Sequence, residues 1–111
     1  MAGERQKKMT EVKLPHFNSS MVGFQMTFKN GYCISVQFGP SSYSERRDAA
    51  LNAPLEAASN NESWRSETAE VAIFNPDCTF HGDVQGWLAP NEVAELIGTV
   101  QMWPRPPSSP I

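Results

Sequence analysis

Alternation of apolar and polar residues in the first third of the chain predicts a β-hairpin. Apolar side chains occupy every second position over residues 24–28 and again over residues 32–38, which is the period of a half-buried strand. An Asn-Gly pair, a strong turn signal, separates the two runs. A two-residue loop would place the two apolar rows on opposite faces of the hairpin. A three-residue loop, Lys29-Asn30-Gly31, pairs Phe28 with Tyr32 and places both rows on one face, so we predict this loop, with its glycine left-handed in a bulge.

A second hairpin is predicted in the second half of the chain. Residues 67–74 alternate as a third strand, and Asn75-Pro76-Asp77 is a turn sequence in which proline presets φ. The next position usually requires positive φ and is usually glycine. Here it is Cys78, which predicts local backbone strain. The chain is expected to return through residues 79–81 as a fourth strand, which residues 84–88 continue or follow as a fifth.

The C-terminal part of the domain is predicted to be a helix that starts at Pro90. Proline suits the first helical position and Glu92 suits the first turn, whereas Ala89 is a poor N-cap. Apolar residues then follow at helical spacing and form a single stripe: Val93, Leu96, Ile97, Val100 and Trp103. Pro104 is expected to stop the helix.

Together these elements predict an α+β fold, in which an antiparallel sheet of two β-hairpins (four to five strands) carries one C-terminal helix on a face. The single domain is expected to span residues 14–103. It lies between a disordered lead (1–13) and a Pro-rich disordered tail (104–111). Residues 40–66 form a long loop with short helical turns near residues 45–51 and 54–58. Loops of this length are typically functional or disordered.

Composition and charge indicate how many domains the chain forms and which partners it binds. A chain of 111 residues, 40% apolar, fits one domain. Its net charge of −3 divides into +2 for residues 1–13, which carry four basic and two acidic side chains, and −5 for the rest. An acidic body argues against binding to phosphate backbones, so we expect no nucleic-acid partner. A domain this small gains buried surface by pairing with a second copy, so we expect a homodimer.

Sequence features also indicate a cytoplasmic protein. The N-terminus lacks the apolar core of a secretory signal, and no apolar stretch approaches the length of a membrane span. Two cysteines, Cys33 and Cys78, are too few for a disulfide scaffold and are expected to be reduced, mostly buried thiols.

No motif for catalysis or metal binding is present, so we expect no catalytic residue, no metal and no cofactor. Cys33, Cys78, His16 and His81 lack the paired spacing of structural zinc ligands. His81 and Asp83 lie two residues apart, but no nucleophile elbow accompanies them. Neither a Walker A motif nor the glycine pattern of a Rossmann fold occurs.

The best candidates for a binding site flank the long loop or lie within it: Tyr43, Arg46, Arg47, Trp64 and Arg65. Aromatic and arginine side chains are common interface anchors, and guanidinium groups pair well with phosphate or carboxylate. In the alternative interpretation, Tyr43 and Trp64 only pin the ends of the loop to the sheet. Trp87 and Trp103 continue apolar patterns and are predicted to belong to the core.

Several short segments are together similar to a known group of sequences. They are Phe28-Lys29-Asn30-Gly31-Tyr32, Ser35-Val36-Gln37-Phe38-Gly39-Pro40 with Tyr43, Thr68-Ala69-Glu70-Val71-Ala72, Asn75-Pro76-Asp77, Gly86-Trp87 and Pro90-x-Glu92-Val93. Over about residues 17–100 the chain resembles a group of short uncharacterised bacteriophage-encoded proteins. Members have glycine in place of Cys78 and often serine or threonine in place of Ala89. The resemblance implies no catalytic residues and a setting in the cytoplasm of an infected bacterium, where small acidic phage proteins commonly act by binding.

The leading hypothesis is therefore a non-enzymatic binding protein, a phage accessory factor that binds and blocks a host or anti-phage-defence component through the long loop and an adjoining sheet face. One alternative is a sponge for a small signalling nucleotide, in which Arg46, Arg47 or Arg65 meets the phosphates and Tyr43 or Trp64 stacks on the base. The other alternative is a virion or assembly component whose sheet edge pairs with another chain.

Overall fold

A computed structural model describes residues 14–106 of the chain. The predicted lead (1–13) and residues 107–111 of the predicted tail lie outside this range. The described part contains five strands: β1 (His16–Ser20), β2 (Gly23–Thr27), β3 (Cys33–Gln37), β4 (Ala69–Phe74) and β5 (Gln85–Leu88). They form one antiparallel sheet in sequence order. Two helices complete it, α1 (Ala53–Ser59) and α2 (Pro90–Val100), and the predicted α+β class is confirmed.

The predicted register of the β2–β3 hairpin is also confirmed. Met26 lies opposite Ile34 and Phe24 opposite Val36. The Gly31 N–H donates to the Phe28 carbonyl at 2.9 Å, and the Phe28 N–H donates to the Tyr32 carbonyl at 2.8 Å. Gly31 has φ of +96°, as a left-handed residue closing a three-residue loop requires. The buried face decides the register because a one-residue slip would move every apolar side chain into water.

Two elements differ from the sequence-based prediction. β1 pairs with β2 across a turn at residues 21–22, although no strand was predicted there. All five of its residues are exposed, so no apolar row reveals it in the sequence. The predicted fourth strand at residues 79–81 is reduced to a single bridge between Phe80 and Phe74, the last residue of β4. Within residues 14–106, β5 is the one strand that pairs along this side of β4.

The core lies between the sheet and α2. Its buried residues are Phe28, Tyr32, Ile34, Val36, Ala69, Val71, Ile73, Val93 and Val100. Leu96, Ile97 and Trp103 pack against them, so the predicted apolar stripe is confirmed, although Trp103 lies beyond the end of the helix. α2 ends at Val100, four residues before Pro104. Within residues 14–106 no helix has the length and apolar character needed to cross a membrane.

The turn after β4 repeats the geometry of the first hairpin loop. The Cys78 N–H donates to the Asn75 carbonyl at 2.8 Å, and the Asn75 N–H donates to the Thr79 carbonyl at 2.7 Å. Cys78 has φ of +73°, so the positive φ expected at this position is confirmed. Cys78 is exposed in this turn and Cys33 is only partly buried, so the expectation of mostly buried thiols is wrong. Hydrogen bonds from the Thr79 hydroxyl and backbone N–H hold the pKa of Asp77 below its usual value.

Replacing Cys78 by glycine is expected to stabilise the domain by about 0.5–1 kcal/mol, because glycine adopts positive φ without the steric cost of a Cβ atom. Urea denaturation followed by tryptophan fluorescence measures the change. The reciprocal substitution, Gly31→Ala, is the control. It places a Cβ atom in the equivalent turn at φ +96° and 3.0 Å from Pro76 Cγ, so it should destabilise the domain. A Cys78→Gly variant less stable than the original would contradict the argument.

The start of α2 has half of a capping box. The Glu92 carboxylate accepts a hydrogen bond from the Ala89 N–H at 2.8 Å, but Ala89 has no side-chain oxygen for the reciprocal bond. Ala89→Ser is expected to add that acceptor and to stabilise the domain by about 1 kcal/mol, since Ala89 already has the extended backbone of an N-cap (φ −74°, ψ 161°). Thermal unfolding measures the gain. The matched control, Ala94→Ser inside the helix, should be neutral or slightly destabilising, and equal effects of both substitutions would refute the capping role.

Candidate functional site

Residues 40–66 fold against the end of the sheet where β3 finishes. Gly39 lies against Val22 so closely that a Cβ atom would come within 2.5 Å of the valine side chain. The Ser42 hydroxyl donates to the Gly39 carbonyl at 2.6 Å and lies 2.8 Å from the Ser44 hydroxyl. Ser42 and Ser44 are buried. This serine network gives the first part of the loop a defined shape and positions Tyr43 between two anchored residues.

The second part of the loop is anchored by Trp64. Its indole N–H donates to the Phe38 carbonyl at 2.9 Å, which ties the end of the loop to the end of β3. Glu45 joins the two parts, because its N–H donates to the Thr68 hydroxyl at 2.8 Å and its carboxylate accepts from the Glu67 N–H at 2.7 Å. Trp64 therefore has the pinning role that the sequence left as an alternative.

Three of the five candidate residues meet around Trp64. The Arg46 guanidinium lies 5.2 Å from the centre of the Trp64 ring, and its Nε donates to the Arg65 carbonyl at 2.5 Å. Arg65 forms an exposed ion pair with Glu67 at 3.4 Å. The recess beside these residues is also lined by Glu56 and Glu62. Its basic side chains therefore lie beside acidic ones, which disfavours an anionic ligand.

The other two candidates form a different surface together with Trp87. The rings of Tyr43 and Trp87 stack with centroids 5.5 Å apart and planes at 24°, and the Arg47 guanidinium lies 5.8 Å from the centre of the Tyr43 ring. Tyr43 is 46% exposed and Trp87 is 52% exposed. We call Tyr43, Arg47 and Trp87 the aromatic surface. The prediction that Trp87 belongs to the core is wrong, whereas Trp103 packs against the core as expected.

The backbone of residues 86 and 87 allows Trp87 to stack on Tyr43. Trp87 has φ of +53°, a left-handed conformation that is costly for a bulky residue. Its N–H donates to the Tyr43 carbonyl at 2.7 Å. Gly86 allows the close approach, since a Cβ atom there would lie 2.6 Å from Tyr43 Cβ. With this left-handed backbone the indole stacks on Tyr43 and has about half of its surface in water.

A separate apolar pocket of about 480 Å³ lies between the sheet and α2. Its apolar walls come from Phe24, Val36, Phe38, Trp64, Leu88, Val93 and Ile97. The helix contacts β3 and β4, so the β2 side of the same sheet face is left partly open. The pocket is large enough for an apolar side chain of a partner, but no candidate from the sequence other than Trp64 and Arg65 lines it.

The residues considered for a metal site do not assemble into one. Among residues 14–106 no three histidine, cysteine or acidic side chains come close enough together to hold a metal ion. His81 instead packs against Tyr32 and Trp103, with ring centroids 5.8 and 4.8 Å away, and its Nδ1 lies 2.9 Å from the Asn75 amide oxygen. The environment of His81 is that of a structural side chain.

Comparison of the chain with protein-family models, with curated proteins and with solved structures found no match. The class defined by the structure is therefore that of a small α+β protein, with a five-stranded antiparallel sheet, a C-terminal helix and an exposed aromatic surface.

Proposed function

We propose that this chain is a non-enzymatic binding protein, a phage accessory factor that binds and blocks a host or anti-phage-defence protein through the aromatic surface. The observation that carries the proposal is the exposed stack of Tyr43 on Trp87 with Arg47 beside it. Tryptophan, tyrosine and arginine are the residue types most enriched among interface hot spots. Two half-exposed rings in contact offer a partner a rigid apolar area at a low cost in side-chain entropy.

The strained backbone at Trp87 supports the same conclusion. A left-handed non-glycine residue costs on the order of 1–3 kcal/mol and commonly marks a ligand-binding or active site. Trp87 contributes little to the core in return, because half of its surface is in water. A role in binding accounts for a conformation that folding alone does not favour. The resemblance to phage-encoded sequences supplies the proposed setting and the class of partner.

A protein partner fits the surface better than a small nucleotide does. Of the three arginines considered for phosphate binding, Arg46 is engaged by Trp64 and the Arg65 carbonyl, and Arg65 pairs with Glu67. Trp64 is partly buried and donates its N–H to the Phe38 carbonyl. Arg47 is left as the cation beside an exposed ring. We therefore expect no rise in melting temperature with cyclic or ADP-ribose-type nucleotides, and a clear rise would favour the sponge.

The proposal is tested by affinity capture with the tagged full-length chain from bacterial lysate, followed by mass spectrometry. Trp87→Gly is the informative variant, because glycine accepts φ +53° and keeps the backbone N–H that bonds to Tyr43. The expected result is one host protein retained by the original chain and lost with the variant. Truncation of a central interface aromatic typically costs 2 kcal/mol or more, about a 30-fold loss of affinity.

The control is Leu51→Ala, which removes an apolar side chain that is 81% exposed elsewhere in the same loop. This variant should capture the partner as the original chain does. A second variant, Ala94→Lys, places a charge at the exposed rim of the apolar pocket. If Ala94→Lys abolished capture and Trp87→Gly did not, the partner would be assigned to the apolar pocket instead of the aromatic surface. Capture of no protein by the original chain, or equal capture by all variants, would overturn the proposal.

A further inference from the structure

The first strand of the sheet has an open edge. β1 pairs only with β2, and within residues 14–106 no segment lies along its outer side. All five residues of β1 are exposed, and Phe17 is 76% exposed. We propose that this edge is an interface between two copies of the chain. In the dimer β1 pairs antiparallel with β1 of the second copy about a two-fold axis at Asn18.

Hydrogen bonding in the neighbouring strand shows which backbone groups of β1 are available. The Phe38 N–H donates to the Val22 carbonyl at 2.9 Å, and the Phe28 N–H donates to the Tyr32 carbonyl at 2.8 Å. Residues 22 and 28 therefore direct their backbone groups towards β3. Because these groups alternate along a strand, the even-numbered residues of β2 face β3 and the odd-numbered ones face β1.

The register then identifies the free groups. The odd-numbered residues of β2, which are Gly23, Gln25 and Thr27, lie opposite Ser20, Asn18 and His16. Phe17 and Ser19 consequently direct their N–H and C=O groups away from the sheet. In a two-fold pairing about Asn18, Phe17 lies opposite Ser19 of the second copy. Each copy contributes two N–H and two C=O groups, those of Phe17 and Ser19. Together the two copies form four hydrogen bonds across the interface, which use all of these outward groups.

β1 also lacks the usual protection of a sheet edge. Natural edges are blunted by charged side chains, proline or a bulge, but β1 contains no charged residue and no proline, and its five-residue register with β2 is regular. The opposite edge, β5, is protected. Its pairing with β4 is bulged, and the Trp87 N–H already bonds to Tyr43 in the loop. With one open edge per copy, association closes at two chains instead of extending into a fibre.

The side chains fit the same arrangement. Phe17 lies opposite Met26 and Ser19 opposite Phe24, so all four belong to the face that carries the core. In the dimer, Phe17 of the second copy stands next to Ser19, whose small side chain leaves room for the ring to reach Phe24. Each copy thus covers an apolar residue that is only half buried in the single chain. β1 contains no lysine, arginine, aspartate or glutamate, so the pairing brings no such like charges together.

The oligomeric state of the purified chain tests this proposal, and the result does not depend on whether the aromatic surface binds a partner. Sedimentation equilibrium between about 10 and 500 μM, a range suited to a small interface, should show reversible dimers of the full-length chain. Phe17→Lys should weaken dimerisation at least about tenfold, because it places two like charges at the interface and removes the ring. Leu51→Lys makes the same change of charge at another exposed apolar residue and should leave the dimer intact.

Amide hydrogen exchange locates the contact by residue. The Asn18 amide bonds within the chain and should be protected at every concentration, whereas the Phe17 and Ser19 amides should become protected only as dimers form. Ser19→Pro removes one outward donor without touching the bonds to β2 and should give a folded monomer. A chain that stays monomeric over the whole range, or a dimer that survives both Phe17→Lys and Ser19→Pro, would overturn the proposal.

Discussion

Asn30→Asp is expected to destabilise the domain by about 3 kcal/mol, although aspartate suits turns as well as asparagine does. The reason is that the Asn30 amide joins the hairpin loop to the end of α2. Its Nδ2 donates to the Val100 carbonyl at 2.9 Å and to the Trp103 carbonyl at 2.8 Å. Aspartate has no donor to replace these bonds. It also brings a negative charge to the end of the helix where the last carbonyls already carry partial negative charge.

The loop itself should survive this substitution. The Asn30 Oδ1 accepts the Tyr32 N–H at 3.1 Å, and an aspartate oxygen can do the same. The loss is therefore assigned to the contact between loop and helix. Because the repulsion requires an ionised carboxylate, the difference between variant and original should shrink as the pH falls through the usual carboxyl pKa of about 4. Urea unfolding at neutral and acid pH, followed by circular dichroism, measures both effects.

Asn91→Asp provides the matched control. It makes the same chemical change at an exposed position in the first turn of the same helix, where a negative charge is favoured by the helix dipole. This variant should be unchanged or more stable by a few tenths of a kcal/mol. If Asn30→Asp remained within about 0.5 kcal/mol of the original protein at neutral pH, the amide would not be holding the helix end.

Ile34→Ala is expected to cost about 4 kcal/mol, the larger of the two losses. Ile34 has no exposed surface and lies in the central strand between Met26 on one side and Ile73 on the other. Removing a buried isoleucine to its Cβ atom loses the transfer free energy of three carbon atoms and leaves a cavity that neighbouring strands cannot close. A domain of this size has a total stability of roughly 5–15 kcal/mol, so the variant should be marginal at 37 °C.

Thermal and urea unfolding of Ile34→Ala should therefore show a large fall in the midpoint, with Leu51→Ala as the reference. Leu51 is a large apolar residue in the same chain, but it is almost fully in water. Its truncation should change the free energy of unfolding by less than about 0.5 kcal/mol. A loss below about 1 kcal/mol for Ile34→Ala would mean that the central strand is not packed as described.

Much of the sheet could be predicted because its strands and turns are determined by residues close to them in the sequence. The alternation in β2 and β3 and the need for one buried face selected the three-residue loop, which the register of the strands confirms. The positive φ at Cys78 followed from the turn sequence before it. The stripe of α2 followed from spacing at 3.6 residues per turn. In each case the determining residues lie within about one or two turns of the element they specify.

The candidate site was only partly predictable. The residue types of the loop pointed to Tyr43 and Arg47. Trp87, which stacks on Tyr43, lies 44 positions further along the sequence and was assigned to the core. A tryptophan that continues an apolar pattern looks the same in the sequence whether its ring is buried or exposed in the folded protein. Gly86 was the one local sign, since a glycine within a strand often marks a close approach of another backbone.

By itself the sequence determined the α+β class, the β2–β3 register, the strained turn at Cys78 and the apolar face of α2. The physical reason is that period, turn chemistry and helix capping act between near neighbours. Only the tertiary structure decided that β1 forms an edge, that Asn30 holds the end of a helix 70 residues away, and that Trp87 stands exposed on Tyr43. These features depend on which distant backbone groups and side chains the folded sheet brings together, and no local pattern encodes that choice.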